Sequence, residues 1–300
     1  MTTTLERPSA GTPAQGLAGH RRPLRETMFR LALQASLLVA VSFLGALLVY
    51  VVYTALPRLD LDLLRNMPST LRPETAGAQS AIMGTLWVIS LTALICVPIG
   101  VMTAIYLEEY ADSTRWYNKL VEVNVQNLAA VPSIVYGILG LGVIARDLGL
   151  GLTVLSAAIT LSLLVLPVVI ISTREAIRAV PNSIRDGSLA LGATKWQTIW
   201  KQVLPAAVPG TATGSILALS RAIGEAAPLL LLGALSYIAF NPDGVLSQFT
   251  VLPVQIYDFI KQSREEFVPL ASAAIVVLLV ILIAMNSIAI FLRNKFQRRW

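Results

Sequence analysis

Two ionisable side chains, Arg221 and Glu225, stand inside a 41-residue stretch, 202–242, that otherwise carries no charge. Their i, i+4 spacing puts both on one face of a helix, where they can pair. A charge at the centre of a membrane span costs about 2.5–3.5 kcal/mol on insertion scales, so the pair needs a reason. One reason is structural: an ion pair that fixes packing against a neighbouring helix. The other is an anion path. A guanidinium is permanently charged and presents a planar fork of donors that matches the oxygens of an oxyanion such as phosphate. In that reading Arg221 contacts the anion. Glu225 neutralises Arg221 in the empty path and, by repelling the anion, keeps binding weak enough for release. Gly224 between them is expected to let another helix approach closely, and Pro228 to free a carbonyl and kink the span.

A second chemistry-bearing stretch is Pro181 to Pro205. Asn182 and Ser183 offer capping side chains ahead of a first helix, 184–191, and Gly192 can take the left-handed conformation that ends it. Thr194 followed by Gln197 is a capping-box pattern for a second helix. Trp196, Ile199, Trp200 and Val203 recur along one side of that helix, with Lys195, Gln197, Thr198, Lys201 and Gln202 on the other, and Pro205 is expected to stop it. An amphipathic helix of this kind either lies on a lipid surface or docks a partner.

Other chemistries are missing. The chain has one cysteine, Cys96, and one histidine, His20, which leaves no disulfide framework and no cysteine or two-histidine metal site. There is no Gly-Lys dipeptide and hence no phosphate-cradling GxxxxGK[ST] loop. HExxH and GxSxG are also absent. The residues therefore predict a non-enzyme with no cofactor and no metal; any ATP hydrolysis has to come from another subunit.

The elements that position these residues follow from where charge is absent. With 55% apolar and 13% charged residues, against about 45–50% and about 25% in soluble domains, the chain is built for lipid. Uncharged windows at 31–57, 75–107, 123–145, 148–173 and 267–292 are each long enough for a membrane helix of roughly 20 residues. Together with 202–242 they predict six transmembrane helices. If the N-terminus is cytoplasmic, the cytoplasmic segments hold 16 of the 23 Lys and Arg residues and the opposite side six, so both termini are expected inside. The first cytoplasmic turn strains this rule, because Glu108, Glu109, Asp112 and Glu122 outnumber Arg115 and Lys119. Residues 1–30 read as a disordered basic cytoplasmic arm and 293–300 as a basic tail, both facing anionic headgroups rather than nucleic acid. The 27-residue window that follows the arm exceeds the core of a cleavable signal and reads as the first membrane helix, 31–57.

Asp186-Gly187-Ser188, three residues, Gly192, nine residues, then Gln202-Val203-Leu204-Pro205 resembles the EAA loop of ABC importer permeases, in which Glu-Ala-Ala and Gly are followed by Ile-x-Leu-Pro at the same spacing. Asp186, Gly187, Ser188 and Gln202 depart from the pattern; Gly192, Leu204 and Pro205 carry it. Val131 to Gly137, Arg178 to Pro181, Leu189 to Thr194 and Arg221 to Pro228 extend the likeness over roughly 78–292, specifically to the phosphate-importing branch.

The resemblance implies an all-α, six-span permease of the type I importer fold, with a core at 78–292 and a coupling loop at 181–205. It implies a bacterial inner-membrane protein in which Asp186 to Gly192 contacts an ATP-hydrolysing subunit. The implied partners are two copies of that ATPase, a homologous second permease forming a heterodimer, an extracytoplasmic phosphate-binding protein and membrane lipid. A permease for sulfate or molybdate and a passive anion channel are the alternatives.

Overall fold

The computed structural model describes residues 24–112, 114–232, 234 and 237–296. Most of the basic arm and the last four residues of the tail therefore lie outside the described residues. The chain divides into two units, 1–50 and 51–300.

The first unit is described as the bulk of one helix, α1 (Leu24–Ala55). It is apolar all round, as a lipid-facing span should be. The arm expected over 1–30 is helical from Leu24 onward, a correction with a simple cause. No Gly or Pro follows Pro23 there, and Glu26 pairs with Arg30 one turn on, at 3.5 Å. Helix likewise runs through the first part of the expected tail.

The second unit contains α2 (Leu61–Arg65), α3 (Gln79–Ile105), α4 (Trp116–Ala129), α5 (Ser133–Leu139), α6 (Val154–Arg178) and α7 (Asn182–Ala190). After these come α8 (Lys195–Thr198), α9 (Leu204–Gly224), α10 (Ala227–Leu232), α11 (Leu252–Lys261) and α12 (Phe267–Phe296). No strand occurs among the described residues. Three π turns continue helices: Tyr106–Tyr110 after α3, Gly140–Asp147 after α5, and Ile199–Val203 between α8 and α9.

Among the described residues, five stretches are long and apolar enough to cross a membrane: Arg25–Arg58, Gln79–Tyr110, Val154–Arg178, Lys195–Gly224 and Phe267–Lys295. The sixth predicted span, 123–145, is not one rod. Trp116–Ala129 and Ser133–Asp147 meet at 106°. Pro132 disfavours helical backbone at Val131, and the Tyr136 hydroxyl donates across the break to the Leu128 carbonyl at 2.8 Å. Counted as one, the bent pair brings the total to the expected six.

Helix α6 is central, packed between α3 and α9. Among its buried hydroxyls, Thr160 donates to the Ser156 carbonyl at 2.7 Å, as Thr92 of α3 does to Val88 at 2.8 Å, and Ser162 reaches across to the Thr92 carbonyl at 3.4 Å. At its crossing with α9, a Cβ on Gly214 would lie 2.1 Å from Ser172 Oγ, so only glycine permits this approach. The start of α6 is closed from outside the helix, where the Ser247 and Val245 carbonyls accept from the Val154 and Leu155 amides at 3.0 and 2.8 Å. The segment 237–266 thus packs onto the bundle. Its helix α11 buries Leu252 and Phe259, the latter 5.9 Å from the Phe267 ring.

Pro205 does not stop a helix. Lys195–Gly224 is continuous, and the π turn immediately before Pro205 shifts the hydrogen-bond register where the proline lacks an N–H; the Leu204 amide bonds back to the Ile199 carbonyl. Nor does the next span run through 202–242. Helix α9 ends at Gly224, Glu225 is extended (φ −80°, ψ 107°), and Pro228 sits in the first turn of the separate α10, where a missing N–H costs nothing.

Candidate functional site

Arg221 occupies the last turn of α9. Its Nε donates to Glu225 Oε1 at 3.2 Å even though Glu225 has left the helix. The two side chains are 58% and 18% exposed, whereas the adjacent Ala222 and Ile223 are buried against Ile89, Val165 and Ala218. The guanidinium therefore points out of the bundle, and within this chain no seam encloses it. Gly224 is also open: a Cβ there would meet nothing within 4 Å, so the close helix approach expected at this glycine is not made inside the chain.

What fixes the neighbourhood is a different glycine. A Cβ on Gly137 would lie 2.7 Å from Pro228 Cα and 2.9 Å from its carbonyl oxygen. The segments 131–137 and 221–228, remote in sequence, thus pack backbone against side-chain-free backbone. One residue before Arg221, Ser220 Oγ lies 2.6 Å from Asn286 Oδ1 of α12, which ties this end of α9 to the last helix.

The second predicted stretch forms α7, a sharp turn and α8. Helix α7 buries none of its residues. Asp186 and Gly187 are exposed, and a Cβ on Gly187 would touch nothing within 4 Å, so packing within this chain does not require the glycine. Asn182 and Ser183 lie inside the first turn instead of capping it. Pro181 precedes the helix with its backbone extended (φ −58°, ψ 139°). Gly192 has φ +83°, the left-handed conformation expected. Thr194 and Gln197 form both halves of the capping box, at 3.3 and 2.9 Å.

The amphipathic split differs from the expected one. Ile199 and Val203 are buried with Ile105, Ile177 and Val180, but Trp196 and Trp200 face outward, their ring centroids 5.0 Å apart and their planes inclined at 50°. Thr198 is buried instead, its hydroxyl 2.9 Å from that of Ser188. Leu204 and Pro205 open α9 directly behind this turn, with Leu204 packed on the same cluster.

Sequence reasoning missed a charged network at this end of the bundle. Glu108 accepts from Arg174 at 3.2 Å and from Arg178 at 2.7 Å, and Arg174 also reaches Glu122 at 2.9 Å. These groups border a cavity of about 310 Å³. Glu109 accepts from Arg185 of α7 at 3.0 Å. The signal was in the sequence: the surplus acids of 108–122 are the partners of the surplus bases of 174–201, which puts both segments at one end of the bundle. Nearby, the Thr114 hydroxyl and backbone N–H bond to Asp112 and hold its carboxyl below the usual range. Among the described residues no group of three His, Cys, Asp or Glu side chains is placed to hold a metal.

Residues 96–300 match the family described as binding-protein-dependent transport system inner membrane component. The phosphate transport system permease protein PstA 1 of Mycobacterium tuberculosis (strain CDC 1551 / Oshkosh) is 35% identical over 224 residues, 74% of this chain and 72% of the relative. PstA of Haemophilus influenzae is 30% identical over 273 residues, 88% and 91% of the two chains. Among solved structures, a bacterial alginate ABC transporter superposes with a TM-score of 0.60 over 89% of this chain and 96% of that one, at 17% identity. The inward-facing MetNI methionine transporter superposes with 0.57 over 72% and 94%, also at 17%. These two establish the fold.

Proposed function

The chain belongs to the family of binding-protein-dependent transport system inner membrane components and is a permease subunit of a phosphate ABC importer; within it, we propose that Arg221 and Glu225 line the anion path. The same proposal gives Asp186, Gly187, Ser188 and Gly192, backed by Leu204 and Pro205, the task of carrying motion from an ATP-hydrolysing subunit into the membrane. The observation behind the first assignment is the outward-facing guanidinium, 58% exposed at the end of a membrane helix in a chain otherwise poor in intramembrane charge. A surface of this kind is matched by a second, homologous permease closing the path from the other side. Arg221 then offers its remaining donors to phosphate while Glu225 holds one edge of the fork and limits affinity.

The second assignment rests on α7, which buries nothing of its own and ends in a left-handed glycine, so its surface is free for a partner. Since the chain has no nucleotide-binding loop, hydrolysis is assigned to two copies of an ATPase docked at the α7 end, with a phosphate-binding protein at the opposite end. The α7 end is taken as cytoplasmic, both termini included, in a bacterial inner membrane. Pairing of Glu108, Glu109 and Glu122 with Arg174, Arg178 and Arg185 removes the acidic surplus that weighed against this orientation.

The test is Arg221→Ala in the reconstituted transporter. Phosphate uptake should vanish while the subunits still assemble. Arg221→Lys should also be impaired, because a point charge does not reproduce the fork. Uptake at the wild-type rate in either variant rejects the path assignment, and equal inhibition by sulfate or molybdate would reassign the substrate.

A further inference from the structure

Helix α7 is attached to the membrane helices almost without apolar contact. None of its residues is buried, and only Ile184 packs, partly, on the cluster of Ile105, Ile177 and Val203. What grips it is the guanidinium of Arg185. Nη2 donates to Glu109 Oε1 at 3.0 Å and to the Ile177 carbonyl at 2.9 Å; Nη1 donates to the Val180 carbonyl at 2.6 Å; Nε also reaches Glu109 Oε1, at 3.3 Å. Glu109 lies in the π turn that ends the α3 stretch, and its side chain is only 9% exposed. Ile177 lies in the last turn of α6, and Val180 stands two residues past its end; because Pro181 has no N–H, the Ile177 carbonyl lacks its i+4 partner, keeps only the Val180 N–H at 3.2 Å and carries part of the negative end of the helix dipole. One side chain of α7 therefore binds the ends of two membrane helices at once.

Among the described ion pairs, Arg185–Glu109 is the one that joins α7 to a membrane-crossing helix; Arg174 and Arg178 pair with acids of the α3, α4 and α6 stretches. An apolar contact lets a helix slide, because dispersion is non-directional, whereas charge-assisted bonds to three separate acceptors fix both position and orientation. We infer that Arg185 is the positioning residue through which displacement of α7 is passed to α3 and α6, with Glu109 as its anchor. This rests on the reading of α7 as the ATPase contact. Arg185 itself need not touch the ATPase, since its guanidinium is turned inward.

The experiment uses the whole transporter in liposomes, with its ATPase, second permease and binding protein, and measures inorganic phosphate imported per ATP hydrolysed. Arg185→Ala should lower that ratio at least about tenfold, the scale of losing a single charge-assisted bond, with the ATPase still bound at wild-type stoichiometry. Arg185→Lys should fall between, since one ammonium cannot serve Glu109 and both carbonyls together. Glu109→Gln keeps the size and the two carbonyl bonds of Arg185 to the α6 end, so it should assemble even where the alanine variant does not, and should also lower the ratio. An unchanged ratio in Glu109→Gln and Arg185→Lys overturns the inference. Release of the ATPase from both of these conservative variants overturns it as well, because the clamp would then set docking rather than transmission. Failure of the underlying reading is distinguishable: the ATPase would remain bound and fully coupled when the outward residues Asp186 and Leu189 are replaced by bulky arginines, whatever the state of the clamp.

Discussion

Gly137→Ala tests the contact that joins the two segments flanking the proposed path. The new Cβ would lie 2.7 Å from Pro228 Cα, 2.9 Å from its oxygen and 3.1 Å from Leu231 Cβ. Carbon atoms rest at about 3.5–4.0 Å, so α5 and α10 must part by about 1 Å, and the obstructing atoms are chiefly backbone that cannot rotate away. Overpacking of this sort costs about 1–3 kcal/mol. Replacing a helical glycine by alanine returns about 1 kcal/mol, which makes the bare substitution an ambiguous experiment. Gly142→Ala supplies the control, because a Cβ there meets nothing within 4 Å and the site is also helical. The difference between the two variants isolates the steric cost. At about 2–4 °C per kcal/mol for a chain of this order of size, Gly137→Ala should melt roughly 2–12 °C below Gly142→Ala in detergent. Phosphate uptake should fall in the former only, since α10 begins two residues after Glu225. Equal melting midpoints would mean that α10 yields freely and would refute the claim that this contact holds the Arg221–Pro228 segment in place.

Gly187→Ala should slow amide exchange in α7, since it removes a helix-interior glycine worth about 1 kcal/mol and the new methyl meets no atom of this chain. Exchange at the wild-type rate would mean that contacts such as the Arg185 clamp, rather than local helix propensity, hold α7 in place. Thr194→Ala removes the capping box and about 1 kcal/mol of local stability, so amides at Gln197 and Thr198 should exchange about fivefold faster; exchange at the wild-type rate would mean that the π turn and α9, not the cap, set the start of this helix.

The sequence by itself determined what local physics controls. Long uncharged windows had to be membrane helices because lipid satisfies no backbone groups, and Gly192, Thr194 and Gln197 had to end one helix and start the next because their side chains, or lack of one, act within four residues. Arg221 and Glu225 do meet, although Glu225 lies past the end of the helix whose face was expected to carry both. Tertiary structure decided the rest, for reasons that no local pattern holds. The effect of a proline depended on its surroundings. Pro205 is harmless because a π turn re-registers the helix before it, while Pro132 breaks a window that hydropathy alone reads as continuous. The tryptophans of 196–203 share a periodic stripe with Ile199 and Val203, yet neighbouring helices cover only the aliphatic pair. Most of all, the surplus acids of 108–122 looked like a fault in orientation until the fold set them beside Arg174, Arg178 and Arg185. Charge pairing acts through space, and sequence records its two halves some 50 to 75 residues apart.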